Sequence, residues 1–194
     1  MEKEIKIYNY GLNELKTYLF VLLFVAGNII LPQLCHLIPD GGKMFLPIYF
    51  FTLVASYKYG VKVGLMTAVL SPIINSLLFG MPAFALLPAI LTKSVVLALV
   101  ASFVANKTHK ISIVNLLIVV LTYQFVGTLV EWAMTSSFYV AIQDFRLGIP
   151  GMLLQLFGTY FLLKLERWNF FVAEPVEAPK NAFDKLRHRW LLTV

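Results

Sequence analysis

Long apolar runs separated by short polar gaps leave this chain little choice of fold. About 20 mostly apolar residues, rising 1.5 Å each as a helix, cross a bilayer. Six such runs fall at about 15–37, 44–59, 61–80, 83–105, 112–140 and 147–166. Within hydrocarbon every backbone N–H and C=O needs a partner from the chain itself, so each run is expected to be helical. The gaps carry turn signals: Pro39-Asp40-Gly41-Gly42, Tyr57-Lys58-Tyr59-Gly60, Gly80-Met81-Pro82, the polar stretch Asn106–Lys110 and Asp144-Phe145-Arg146. Composition agrees, with 59% hydrophobic and 13% charged residues, where soluble domains carry about a quarter charged. The expected fold is an all-α integral membrane protein, a bundle of six transmembrane helices.

The charges orient that bundle. With both termini cytoplasmic, thirteen Lys and Arg residues lie on the inside, and only Lys43 and Arg146 lie in outside loops. This is the positive-inside pattern, and it requires an even number of spans. The first run is too long for a signal-peptide core and lacks a small-x-small cleavage site, so it reads as a retained span. Residues 1–168 are expected to form the membrane domain and 169–194 a cytoplasmic tail. In the tail, Phe183, Leu186, Trp190 and Leu191 fall at helical spacing among Lys185, Arg187 and Arg189. That spacing suits either a short basic helix on an anionic leaflet or a frayed end.

Two ionisable residues stand deep inside the apolar runs, Lys93 and Glu131. A charge at the centre of a spanning helix costs about 2.5–3.5 kcal/mol on insertion scales, so it normally faces a bundle interior or a watery cavity. Polar stripes accompany them. Asn28, Pro32 and His36 align on the first run, and Gly60, Gly64, Thr67, Ser71 and Asn75 on the third. The fourth offers Ser94, Ala98, Ala101 or Ser102, and Ala105. Gln124, Thr128, Glu131 and Thr135 share a wedge of the fifth, and Gly148, Gly151, Gln155 and Thr159 align on the sixth. Such stripes serve helix packing as readily as binding. In the assigned orientation, however, Asn28, His36, Asn75, Glu131 and Gln155 all fall in the outer half of the bilayer. Lys93 lies near the midplane with a stem able to reach either way. A pocket open outward is the expectation.

Its candidate ligand-contacting residues are Lys93, Glu131, Asn75, Gln155, His36 and Asn28, with Phe84 and Trp132 able to stack on a planar ligand. Lys93 and Glu131 also admit a buried ion pair joining two helices, and the aromatics also admit an interfacial belt.

Enzymatic motifs are absent from the sequence: no Gly-x-Ser-x-Gly, no His-Glu-x-x-His, no Walker A loop. Three histidines and the single Cys35 offer little for a catalytic metal and no intramolecular disulfide. A non-enzymatic chain without cofactor or metal is expected. The basic residues are not gathered on a soluble module, so the partner they imply is the lipid bilayer and not nucleic acid.

The stretch from Leu46 to Ala105 resembles the substrate-binding S components of energy-coupling factor (ECF) vitamin importers. Leu46-Pro47 matches the Pro-containing start of an early span. Tyr59-Gly60 with Gly64 matches a "YG-x-x-x-G" turn, and Pro72, Leu77, Gly80 and Pro82 match a "P-x-x-x-x-L-x-x-G-x-P" element. The motifs cover the middle third of the chain, and architecture alone covers the rest. The resemblance implies a bacterial or archaeal cell-membrane protein that captures a vitamin or related micronutrient at the outer face. It would topple while docked on a transmembrane coupling subunit, and two separate ATPase subunits would supply energy. The first run departs from the pattern, because it offers Ala26-Gly27 and no Ala-x-x-x-Ala docking stripe. Ala98, Ser102 and Ala105, or Gly60 and Gly64, are the substitutes. Outside that resemblance stand a secondary carrier coupled through Glu131 and Lys93, and a structural membrane protein whose two charges only pair.

Overall fold

A computed structural model describes residues 3–4 and 7–165. A two-residue strand β1 (Lys3–Glu4) precedes α1 (Leu15–Cys35), the short α2 (Gly41–Phe45), a 3-10 turn (Pro47–Tyr49) and α3 (Phe50–Tyr59). Then come α4 (Val61–Phe79), α5 (Leu87–Thr108), β2 (Lys110–Ile111) and α6 (Ile113–Thr135). Two short helices, α7 (Phe138–Ala141) and α8 (Gln143–Leu147), lead to a last apolar helix. It runs as α9 (Ile149–Leu153), a π-helical turn (Leu154–Gly158) and α10 (Thr159–Lys164). The expected tail, 169–194, lies outside the described residues, as does the boundary at 168.

Among the described residues four helices, α1, α4, α5 and α6, are long and apolar enough to cross a membrane, with mean hydropathies of 1.6 to 2.1. They are the helices of an all-α, multi-pass membrane protein. The two remaining apolar runs give shorter helices, α3 and Ile149–Lys164. The run at 44–59 starts its helix late for a local reason. Leu46 takes a left-handed backbone (φ 46°), and the fixed φ of Pro47 begins a new turn after it. The run at 112–140 divides at Ser136, whose left-handed backbone (φ 53°) ends α6 with its N–H bonded to the Trp132 carbonyl.

The bundle mixes small and polar residues into an apolar interior and exposes many large apolar side chains. Thr67, Ser71, Ser94, Ala98, Ala101, Ser102 and Ala105 are buried, whereas Leu19, Leu22, Leu77, Phe103, Phe125 and Phe161 are exposed. Helices in lipid gain nothing by hiding leucine from the tails, so small residues are favoured at the contacts and large apolar ones can face outward. Ala98, Ser102, Ala105 and Gly64 are therefore internal packing. A Cβ at Gly64 would strike the Ser56 side chain of α3, and one at Gly27 would strike the Phe51 ring. Gly60 is buried with them, whereas Gly27 is half-buried.

The helices define two ends. At one, β1 pairs antiparallel with β2, the Tyr8 N–H donates to the Lys58 carbonyl at 2.8 Å, and the Tyr57 hydroxyl donates to the Lys110 carbonyl at 2.7 Å. The Tyr59 ring stacks on Phe20 there at 4.2 Å. The other end, where α1, α4 and α6 finish and α5 begins, contains a cavity.

Candidate functional site

The cavity holds about 600 Å³, within the range of small-molecule sites, and draws its walls from the ends of α1, α4, α5 and α6 and from the connections between helices. Lys93, Glu131, Asn75, Asp144, Tyr49 and His36 are its principal polar lining. At 1.5 Å per residue, Asn75 and Glu131 stand about 6 Å below the ends of their helices, and Lys93 about 9 Å below the start of α5. Three helices thus present polar groups at nearly one depth.

At that depth Lys93 Nζ donates to Glu131 Oε2 at 2.5 Å and to Asp144 Oδ2 at 2.9 Å. The lysine side chain is 3% exposed and its two partners 12% and 11%. The ion pair that stood as the alternative to ligand contact by Lys93 and Glu131 forms, and it does so in the cavity wall. It also has a third member. Such a buried ion costs several kcal/mol in desolvation, which only close partners offset.

Local sequence explains how the lysine gets there. Gly127, one turn before Glu131, leaves α6 bare where the stem of Lys93 crosses it. A Cβ at 127 would overlap that stem, lying 2.8 Å from Cε and 3.0 Å from Cδ. Glu131 itself hangs from the last full turn of α6. Asp144 arrives from the connection between α6 and the last helix, where Gln143 and Asp144 of α8 line the cavity. Gly151 permits that arrangement, because a Cβ there would strike the Phe45 carbonyl and stand 2.9 Å from the Leu46 N–H nitrogen. On α8 the two charges then separate. Asp144 is buried, while the Arg146 guanidinium lies 3.8 Å over the Tyr139 ring.

Sequence reasoning missed Asp144 as a site residue, because its position in a polar break resembles any loop carboxylate. The available signal was the apolar company around it, Phe138–Ile142 before and Leu147 after, which suits a connection lying on the bundle.

Asn28 and Asn75 part company. The Asn28 amide donates to Thr52 Oγ1 at 3.0 Å and Ser71 Oγ at 3.1 Å, and its oxygen accepts the Phe51 N–H at 3.2 Å. It is spent on joining α1, α3 and α4 and does not line the cavity. Asn75 does line it. Its Nδ2 donates to the Asn28 and Ser71 carbonyls, both at 2.9 Å, and its Oδ1 has no hydrogen-bond partner.

Gln155 is also behind the wall. Its Oε1 accepts the Tyr123 hydroxyl at 2.8 Å and its Nε2 donates to the Leu46 carbonyl at 3.4 Å. This steadies the left-handed residue at the cavity edge. His36 follows the last residue of α1 at the mouth, against Gly42. Phe84 and Trp132 are 67% and 46% exposed and line no part of the cavity. The Trp132 ring meets Phe138 edge-on at 5.5 Å instead.

No family model, curated protein or solved structure matches the chain. The cavity must therefore be read from its own chemistry. It has the volume of a small-molecule site, with charged groups at depth and a second charged pair, Asp40 and Lys43, at its mouth.

Proposed function

We propose that this chain is the substrate-capturing membrane subunit, or S component, of an ECF-type importer. One observation carries the reading: a cavity at one end of an apolar helix bundle is lined at depth by an ammonium held between two carboxylates. Charges are placed at such cost in a membrane protein chiefly where solute is handled. The residues of the resemblance support it, since Leu46, Pro47, Gly80 and Pro82 all line this cavity.

In this reading α3 with its preceding turn and the helix Ile149–Lys164 are the two short spans that complete six. The cavity end faces outward and both termini lie in the cytoplasm. Lys58, Lys62, Lys107 and Lys164 then flank the inner leaflet, against Lys43 and Arg146 outside. The membrane is the cell membrane of a bacterium or archaeon. The captured solute is a vitamin or similar micronutrient, and a transmembrane coupling subunit with two ATPases drives its passage. The chain itself performs no chemistry.

Affinity purification of the full chain from its native membrane tests this. Copurification with a coupling protein and an ATPase pair is expected, and reconstituted vesicles should take up solute only when that module hydrolyses ATP. Solute transport by the chain alone, without ATP, refutes the proposal in favour of a secondary carrier.

A further inference from the structure

We infer that the cavity takes an organic monocation, a small molecule carrying a protonated amine or amidine. The inference rests on the capture reading above and concerns the charge of what is captured.

Charge is the first ground. Among the described residues Glu131 and Asp144 have Lys93 as their one cationic partner, so the triad keeps one negative charge in excess. The other charged groups nearby do not cancel it. Asp40 and Lys43 at the mouth pair with each other at 3.3 Å, and Arg146 is turned onto Tyr139. An unbalanced charge at 11–12% exposure is costly unless a cation joins it.

Hydrogen bonding is the second and independent ground. Asn75 is 1% exposed, and its orientation is pinned. Reversing the amide would set its oxygen against two carbonyls, those of Asn28 and Ser71. Oδ1 is therefore the atom left over, a buried acceptor without a donor on a residue that lines the same cavity. Such an atom has given up its hydrogen bond to water and recovers one only when a donor reaches it. A ligand with N–H groups and one positive charge meets both needs at one depth. A metal cation does not, because among the described residues no group of three His, Cys, Asp or Glu could hold one.

Titration calorimetry on the full chain in detergent micelles tests the charge with two matched sets of probes. Tryptamine, tryptophol and indoleacetate share a ring and differ in charge, as do phenethylamine, phenylethanol and phenylacetate. The amine of each set is expected to bind at least about tenfold more tightly than its alcohol, with the acid weakest. Asp144→Asn balances the triad and should reduce the amine's advantage over its alcohol about tenfold. Glu131→Gln should do the same and serves if D144N fails to fold.

An acid binding best, or an alcohol equal to its amine, overturns the charge assignment and leaves the capture reading standing. Retained amine preference in a folded D144N or E131Q overturns the role given to the triad. No binding of any probe at millimolar concentration counts against capture itself and removes this inference with it.

Discussion

Replacing Lys93 with methionine keeps the length of the stem and removes its charge. In the wild type Nζ lies 2.5 Å from Glu131 Oε2 and 2.9 Å from Asp144 Oδ2, with all three side chains at most 12% exposed. K93M strands two carboxylates, and a single uncompensated buried charge costs about 3–5 kcal/mol. The cavity admits water to one side of the triad, which favours the lower end, about 3 kcal/mol, for a pair that also repel each other. Most of that loss belongs to the stranded acids rather than to the missing lysine. The variant K93M/E131Q/D144N should therefore recover at least half of it. Equilibrium unfolding in mixed micelles at increasing dodecyl sulfate, followed by circular dichroism, reads both quantities. Two results would refute the reasoning. One is K93M within about 1 kcal/mol of the wild type, the scale of an ordinary substitution. The other is a triple variant no more stable than K93M.

Gly127→Ala should destabilise by about 1–3 kcal/mol, the cost of overpacking, because its new methyl displaces the Lys93 stem; the same unfolding titration checks it, and no change means the stem does not cross there. Asn28→Ala should lose about 1–3 kcal/mol, because it leaves the Phe51 N–H without its acceptor, yet probe affinity in calorimetry should hold in the fraction that folds. Phe84→Ala and Trp132→Ala should leave probe affinity within about twofold, since neither ring lines the cavity; a larger loss would extend the binding site beyond it.

Much of this molecule is legible in its sequence. The four long helices follow from run length, and their inward faces follow from the stripes. Gly64, Thr67, Ser71 and Asn75 are all buried, as are Ser94, Ala98 and Ala105. The depths of Asn75, Lys93 and Glu131 follow from counting residues along helices, since rise per residue is constant. The rest depends on tertiary detail. Helical spacing puts Asn28 and Asn75 alike on inward faces but cannot say that Ser71, Thr52 and the backbone of Phe51 will consume one amide and leave the other's oxygen over. Gln155 likewise found its partners in Tyr123 and Leu46, 32 and 109 residues away.

The pairing of Lys93 with Glu131 shows where the division falls. The sequence alone determined that both charges lie in apolar helices, one near the midplane and one in the outer half, because hydrocarbon forces a helix and a helix converts residue number into distance. Only the tertiary structure decided that they meet, that Gly127 clears the way, and that Asp144 joins them from a connecting segment. A connection lacks the fixed rise of a helix, and its course is set by contacts such as Gly151 against Phe45. The excess negative charge of the cavity is for that reason a property of the fold, invisible until Asp144 is put in its place.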